Sequence, residues 1–150
     1  MELLNPYFFP VYFLFLWVVI MTLISRLGGW AKLARAYRFD GDFRGKIWRF
    51  ESVKMRMGAG YNNCVNIGTN EQGLYLSVFF LCRPGHPSLF IRWSEITVQE
   101  KKRWRFSRFE FRFQRADSIP VSIGHRLGQQ IVEEAGEQWA GKNPLLYSSD

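Results

Sequence analysis

The chain has 150 residues, a formal net charge of +7 and 17% aromatic residues. This length allows one domain with an additional element, and the aromatic content excludes a disordered tail. The positive charge favours an anionic partner, which is a nucleic acid, an anionic lipid or an acidic protein surface. Two cysteines, Cys64 and Cys82, are too few for a disulfide framework or a metal site, so we expect buried or half-buried thiols.

The first element is an uncharged, apolar run from Leu3 to Ser25. As a helix, it is long enough to cross a hydrocarbon core of about 30 Å. A signal peptide would need positive charge before the run, where only Glu2 is present, and a core helix would need a polar face. The sequence therefore predicts a transmembrane helix within residues 1–27. The predicted membrane anchor residues are Tyr12, Phe13, Phe15, Trp17, Arg26 and, in the next segment, Trp30.

Basic residues follow this run closely, and none precedes it. They are Arg26, Lys32, Arg35 and Arg38. The positive-inside rule then predicts a single-pass protein of the inner (cytoplasmic) membrane, with the amino terminus outside and the C-terminal body in the cytoplasm.

Residues 28–42 contain a double glycine and a short amphipathic segment, WAKLARAYR. One helical face holds Trp30, Leu33, Ala34 and Tyr37, whereas the basic residues lie on the other side. This pattern is typical of an interfacial helix on a membrane, but it equally fits a helix that packs on the following domain. The sequence leaves both interpretations open.

From residue 43 to residue 139, short alternating segments are followed by one amphipathic helix. Breaks rich in Gly, Asn and Pro, such as GAGYNN and RPGHP, separate about seven predicted strands. The final helix places Leu127, Ile131, Ala135 and Trp139 at four-residue spacing. The predicted fold class is α+β, mainly β: a bent antiparallel sheet of about seven strands capped by a C-terminal helix. Residues 140–150 form a tail.

The stretch KKRWRFSRFEFRFQR, from Lys101 to Arg115, predicts a β-hairpin or a bulged strand pair. Its aromatic residues alternate with basic residues, so we expect the aromatic rings to face the core: Trp104, Phe106, Phe109, Phe111 and Phe113. The basic side chains then form a predicted surface for an anionic partner, made of Lys101, Lys102, Arg103, Arg105, Arg108, Arg112 and Arg115.

Three short motifs precede that hairpin: GLYLS at residues 73–77, R-x-G-H-P at Arg83–Pro87 and IRWSEI at Ile91–Ile96. With the strand order and the final helix, they resemble a bacterial pleckstrin-homology/GRAM-like domain over residues 43–139, although Arg92 stands where that family often has proline. The resemblance implies a strongly bent seven-stranded sheet closed by the C-terminal helix. It does not imply lipid binding, because such domains also serve as protein-binding scaffolds, and it transfers no ligand residue.

Motifs for chemistry are lacking in the sequence. His86, in a proline-flanked turn, and His125, at a helix start, have no partner at metal-ligand spacing and are expected to be solvated. Asp40 and Asp42 lack the further ligands of a calcium loop. We therefore expect a protein that is not an enzyme and binds no cofactor or metal.

Three classes of function fit these features. The first is a non-catalytic docking or scaffolding subunit whose cytoplasmic domain joins a larger integral membrane complex, for example an energy-transducing one. The second is a module that binds anionic lipid surfaces. The third, nucleic-acid binding, ranks last because its stacking rings would need to share an exposed face with the basic residues.

Overall fold

Two helices precede the sheet in the computed structural model, which describes residues 5–55, 60–116 and 118–135. Helix α1 spans Phe9–Gly28 and helix α2 spans Trp30–Tyr37. Pro10 lies in the first turn of α1, where its missing N–H removes no helical hydrogen bond. Gly29 separates the helices with φ 96°, a left-handed conformation that side-chain-bearing residues rarely adopt.

Seven antiparallel strands then form a single curled sheet, a half-barrel. They are β1 (Lys46–Lys54), β2 (Gly60–Thr69), β3 (Gly73–Val78), β4 (Leu89–Arg92), β5 (Ile96–Arg103), β6 (Phe106–Phe113) and β7 (Val121–Gly124). Their order is β4-β3-β2-β1-β7-β6-β5, so β1 joins two meanders. Helix α3 (His125–Ala135) follows β7. The predicted fold class, α+β and mainly β with a final helix, is confirmed.

The sheet bends where β1 pairs with β2. The register shifts twice, between Trp48 and Glu51 and between Glu51 and Val53. Phe50 and Asn63 both have positive φ, 58° and 53°. Such irregularities increase the local twist and bend of a strand, and they explain why the alternation in this part of the sequence loses its phase. Gly60–Asn63, predicted as loop, belongs to β2.

Helix α2 packs on the body and contributes to its core. Trp30, Leu33 and Tyr37 are 1%, 0% and 3% exposed and join the same apolar cluster as the strands. The Trp30 indole Nε1 donates to the Pro87 carbonyl over 3.0 Å. Of the two interpretations of this helix, packing on the following domain is therefore the correct one. The prediction of Trp30 as a membrane anchor is wrong, because its ring is enclosed by protein.

Helix α3 covers the sheet beside β6 and β7. Its buried residues are Leu127, Gly128, Ile131 and Ala135, which confirms the predicted apolar face within the described residues. A Cβ at Gly128 would lie 2.4 Å from the Phe109 ring, so glycine allows the helix to approach β6 closely. Trp139 and the predicted tail, residues 140–150, lie outside the described residues.

Candidate docking surface at the β5–β6 hairpin

Strands β5 and β6 form the edge hairpin of the sheet. Their register is continuous from Ile96↔Phe113 to Arg103↔Phe106, so the turn consists of Trp104 and Arg105. Trp104 has φ 53°. A two-residue hairpin turn favours positive φ at its first position, where Gly or Asn is usual and a bulky ring is rare.

The aromatic residues of this hairpin divide into two groups. Phe109, Phe111 and Phe113 are 6%, 0% and 0% exposed, as predicted. Trp104 and Phe106 are 90% and 74% exposed, so the prediction that they face the core is wrong.

Two features of the strands explain this exposure. Strand β6 runs from Phe106 to Phe113 without a bulge, so Phe106 lies on the opposite face from Phe109. Strand β7 pairs with β6 only from Arg108 to Phe111. The hairpin therefore extends beyond the end of β7, and the residues around its turn have no core beneath them.

The predicted basic surface divides as well. Glu110 accepts ion pairs from Lys101 and Arg112, each at 2.8 Å. Burial alone would raise the pKa of Glu110, but hydrogen bonds and charge from Lys101 and Arg112 hold the pKa below its ordinary value. The single carboxylate offsets one of these two positive charges.

Two further arginines of this surface also have protein partners. Arg115 pairs with Glu95 at 2.9 Å and lies over the Tyr37 ring, 4.5 Å from its centroid. Arg108 Nε donates to Ser122 Oγ over 2.9 Å. The structure thus places Arg108 and Arg115 in contacts that organise the body itself.

Near the turn, the basic residues are less engaged. Lys102 and Arg105 are exposed, and neither has an acidic partner within the described residues. Arg105 lies 5.0 Å from the centroid of the Trp104 ring, a cation–π contact. The side chain of Arg103 lies outside the described residues. We name the exposed group Trp104, Arg105, Phe106 and Lys102 the hairpin tip.

A cleft of about 650 Å³ lies beside the base of the hairpin, between β1, β6 and the start of α3. Its charged lining includes Glu51, Arg108, His125 and Arg126. His125 lies at the start of α3, as predicted, and its Nδ1 is 3.5 Å from Glu100 Oε1. Since charges of both signs line this open cleft and Arg108 and His125 already have partners, it indicates no particular ligand.

His86 differs most from its predicted environment. It is 1% exposed rather than solvated. Its ring lies against Trp30 and Tyr61, and its Nε2 is 2.9 Å from the Tyr61 hydroxyl. This cluster fixes α2 to the body. No sequence signal paired these residues, because they come from a helix, a strand and a loop far apart in the chain.

Helix α1 extends away from the sheet. It is long and apolar enough to cross a membrane, with a mean hydropathy of 2.0. Tyr12, Phe13 and Phe15 are 66%, 54% and 68% exposed, and Arg26 is exposed near the end of the helix. Trp17 is instead half-buried, and its Nε1 donates to the Leu81 carbonyl over 2.7 Å.

The chain was compared with protein-family models, with curated proteins and with solved structures, and none of these comparisons finds a match. The resemblance to pleckstrin-homology/GRAM-like domains therefore stays a prediction.

Proposed function

We propose that this protein is a single-span membrane protein whose body is a non-catalytic docking subunit of a larger integral membrane complex. The observation that supports this most is the hairpin tip, with Trp104 90% and Phe106 74% exposed. Trp and Arg are enriched at the centres of protein interfaces, where a large ring fills a pocket of the partner. On this proposal, the body is a pleckstrin-homology-like scaffold used for binding protein.

The hairpin tip contributes little to the stability of the body. An exposed ring gains little from burial, and a bulky residue at positive φ costs about 1–3 kcal/mol. Folding alone would therefore favour Gly or Asn at position 104. A binding role supplies a physical reason for Trp104, because the ring is already held outward before the partner arrives.

Charge indicates the chemistry of the partner. Arg105 lies against the Trp104 ring, Lys102 precedes the turn on the other face of the hairpin from Phe106, and neither cation has an acidic partner within the described part of the chain. The site on the partner would then be an apolar pocket with an acidic rim. Rim charges of this kind mainly increase the association rate and the specificity.

The anionic-lipid module is the second candidate. Basic residues near a membrane contribute about 1 kcal/mol each, but Lys101 and Arg112 are paired with Glu110. The lipid-facing charge is therefore smaller than the sequence predicted. Nucleic acid ranks third. Arg105 and the Trp104 ring are exposed together, but two rings form a short platform, whereas sites for single strands usually cover several nucleotides.

A crosslinking experiment tests the proposal. A photoreactive phenylalanine analogue is placed at position 104 and, as a control, at the exposed position Lys54 on β1. In native membranes, position 104 should give a discrete adduct with an integral membrane protein, and position 54 should not. Adducts with lipid alone would support the second candidate, and adducts with nucleic acid the third.

Matched variants extend this test. Trp104→Ala with Phe106→Ala should abolish copurification of a stoichiometric set of integral proteins from gently solubilised membranes. Lys102→Ala with Arg105→Ala should weaken it, whereas Arg49→Ala with Lys54→Ala removes the same charge elsewhere and should not. Since all these side chains are exposed, each change should alter stability by only about 0.5 kcal/mol. Unchanged copurification in the aromatic double variant would refute the docking role of the tip.

A further inference from the structure

The segment between β3 and β4 lies along the second half of α1. Trp17 Nε1 donates to the Leu81 carbonyl over 2.7 Å, and Ser25 Oγ donates to the Gly85 carbonyl over 2.5 Å. The backbones are also close, since a Cβ at Gly85 would lie 3.0 Å from the Thr22 Cα. We name residues 79–85 the β3–β4 segment.

These two hydrogen bonds fix the height of the segment along the helix. Trp17 and Ser25 are eight residues apart, which corresponds to about 12 Å along a helix axis. The Trp17 indole, near the middle of α1 (Phe9–Gly28), binds the Leu81 carbonyl, so the segment follows α1 from Ser25 toward the level of Trp17.

The length of α1 determines whether Trp17 lies inside the bilayer or at its surface. Its 20 residues correspond to about 30 Å, the full thickness of a hydrocarbon core. If the membrane surface were at Trp17, only residues 9–16 would remain inside, about 12 Å of helix, which is too short to span. If α1 spans the membrane, Trp17 must therefore lie inside the bilayer. The part of the β3–β4 segment that binds Trp17 must then lie there too.

The side chains of the segment suit that environment. Phe80 is 64% and Leu81 54% exposed, and both are apolar. The Phe79 ring packs at a tilt against Phe80 and Phe50, with ring centroids 4.5 Å and 5.7 Å apart. Arg83 is exposed and follows at the end of the segment nearer the body, where a cation can reach the headgroups.

Six backbone carbonyls of the segment already have protein partners. Irregular backbone is tolerated at membrane depth only where its polar groups have protein partners. Within the segment, carbonyls accept hydrogen bonds from the segment's own backbone, from the His86 ring and from side chains of α1. The accepting residues are Phe79, Phe80, Leu81, Arg83, Pro84 and Gly85.

We propose that the β3–β4 segment enters the bilayer beside α1 and places Phe80 and Leu81 in contact with lipid hydrocarbon. This inference rests on the proposed membrane span. The segment and α1 then form one wedge, which holds the body against the membrane in a fixed orientation rather than on a flexible stalk. Lipid is the occupant of this apolar surface because the surface is continuous with the exposed apolar face of the helix.

Site-directed spin labelling of the full chain tests the proposal. Cys64 and Cys82 are replaced by alanine, and single cysteines are introduced as Leu81→Cys in the segment, Leu23→Cys on α1 and Arg92→Cys on β4. All three positions are exposed in the structure, so the labels should be tolerated, and circular dichroism checks the fold. Each labelled protein is reconstituted in vesicles of phosphatidylcholine and phosphatidylglycerol. Collision of the nitroxide with oxygen and with a water-soluble nickel chelate is then measured.

The labels at positions 81 and 23 should both collide with oxygen and lose collision with nickel, whereas the label at 92 should show the reverse. A label at 81 that meets nickel as often as the label at 92, while the label at 23 is protected, would overturn the inference and leave the span intact. Nickel collision at both 23 and 81 would mean that the span itself, and with it the proposed function, is wrong.

Discussion

His86 illustrates how much one side chain depends on its protonation state in this fold. Its Nδ1 is 2.9 Å from the Pro84 carbonyl, which can only accept, so Nδ1 is the donor. Nε2 of the neutral ring then accepts from the Tyr61 hydroxyl at 2.9 Å. Burial lowers the pKa of His86, although its backbone hydrogen bonds act in the opposite direction. Burial also raises the pKa of the Tyr61 phenol, so both groups stay neutral near pH 7.

This cluster predicts a loss of stability in mild acid. Because the pKa of His86 is lower in the folded state, the unfolded state binds more protons below its own pKa of about 6.5, and the free energy of unfolding falls as the pH falls. Chemical unfolding of the full chain in detergent, compared at about pH 7.5 and about pH 5.5, should show a lower midpoint at the acidic pH.

Two variants assign this effect to a residue. His86→Gln should reduce the difference between the two pH values, whereas His125→Gln, at the exposed start of α3, should keep it. An equal pH dependence in both variants would mean that other groups cause the loss.

At the scale of elements, the periodicity of the sequence predicts where helices and strands occur but not how the strands pair. The uncharged run, the apolar face of WAKLARAYR and the four-residue spacing after His125 predicted all three helices, because each repeats over several turns. Seven strands were predictable from the breaks between them. Their pairing was not, because the order β4-β3-β2-β1-β7-β6-β5 depends on contacts between distant segments.

The candidate site shows the limit of that approach. Alternation shows which residues share a face, but whether the face is covered depends on where the neighbouring strand ends. Strand β7 is four residues long, whereas β6 has eight, so the core ends before the turn that holds Trp104, and the letters do not indicate that difference in length. Phe106 is out of phase with Phe109 in the sequence itself, and its exposure was missed because a bulge between them was allowed.

The contribution of helix α3 to the stability of the body can be tested with a single substitution. Leu127 is 8% exposed and Ile131 is 0% exposed. Truncation of a buried Leu to Ala costs about 2–5 kcal/mol, a large share of the stability of a small domain. Leu127→Ala should therefore clearly lower the thermal midpoint of the detergent-solubilised full chain. The control is Gln129→Ala, an exposed position on the same helix, which should leave the midpoint nearly unchanged. Similar midpoints for both variants would show that α3 is not needed to close the sheet.

Across the whole molecule, helix α2 and the hairpin tip lie at opposite ends of β6. The turn that follows β6 meets α2, where the Arg115 N–H donates to the Tyr37 hydroxyl over 2.8 Å. Strand β6 begins at Phe106, eight residues earlier than Gln114, which corresponds to roughly 25 Å of strand. On the proposed span, a partner that binds both α1 and the hairpin tip needs a membrane part for α1 and a second surface for the tip, at the far end of β6 from α2. That requirement agrees with the proposed integral membrane complex.

The last prediction concerns which side of the membrane holds the body. Arg26 lies in the last turn of α1, and Lys32 and Arg35 follow in α2, so the positive-inside rule predicts that the body is in the cytoplasm and Asn5 outside. Since the thiols of Cys64 and Cys82 are half-buried and burial with the adjacent Cys82 raises the pKa of Cys64 to about 11, native cysteines would react slowly whichever side they occupy. Both are therefore replaced by alanine, and one exposed reporter is added, either Lys102→Cys in the body or Asn5→Cys before α1.

An impermeant maleimide applied to bacterial cells with a permeabilised outer membrane should label the reporter at position 5 at once. The reporter at position 102 should react only after detergent lysis, because the cytoplasmic membrane separates it from the reagent. Labelling of position 102 before lysis, with position 5 protected, would reverse the topology. It would also place the hairpin tip outside the cytoplasm, where the proposed partner surface would have to be sought instead.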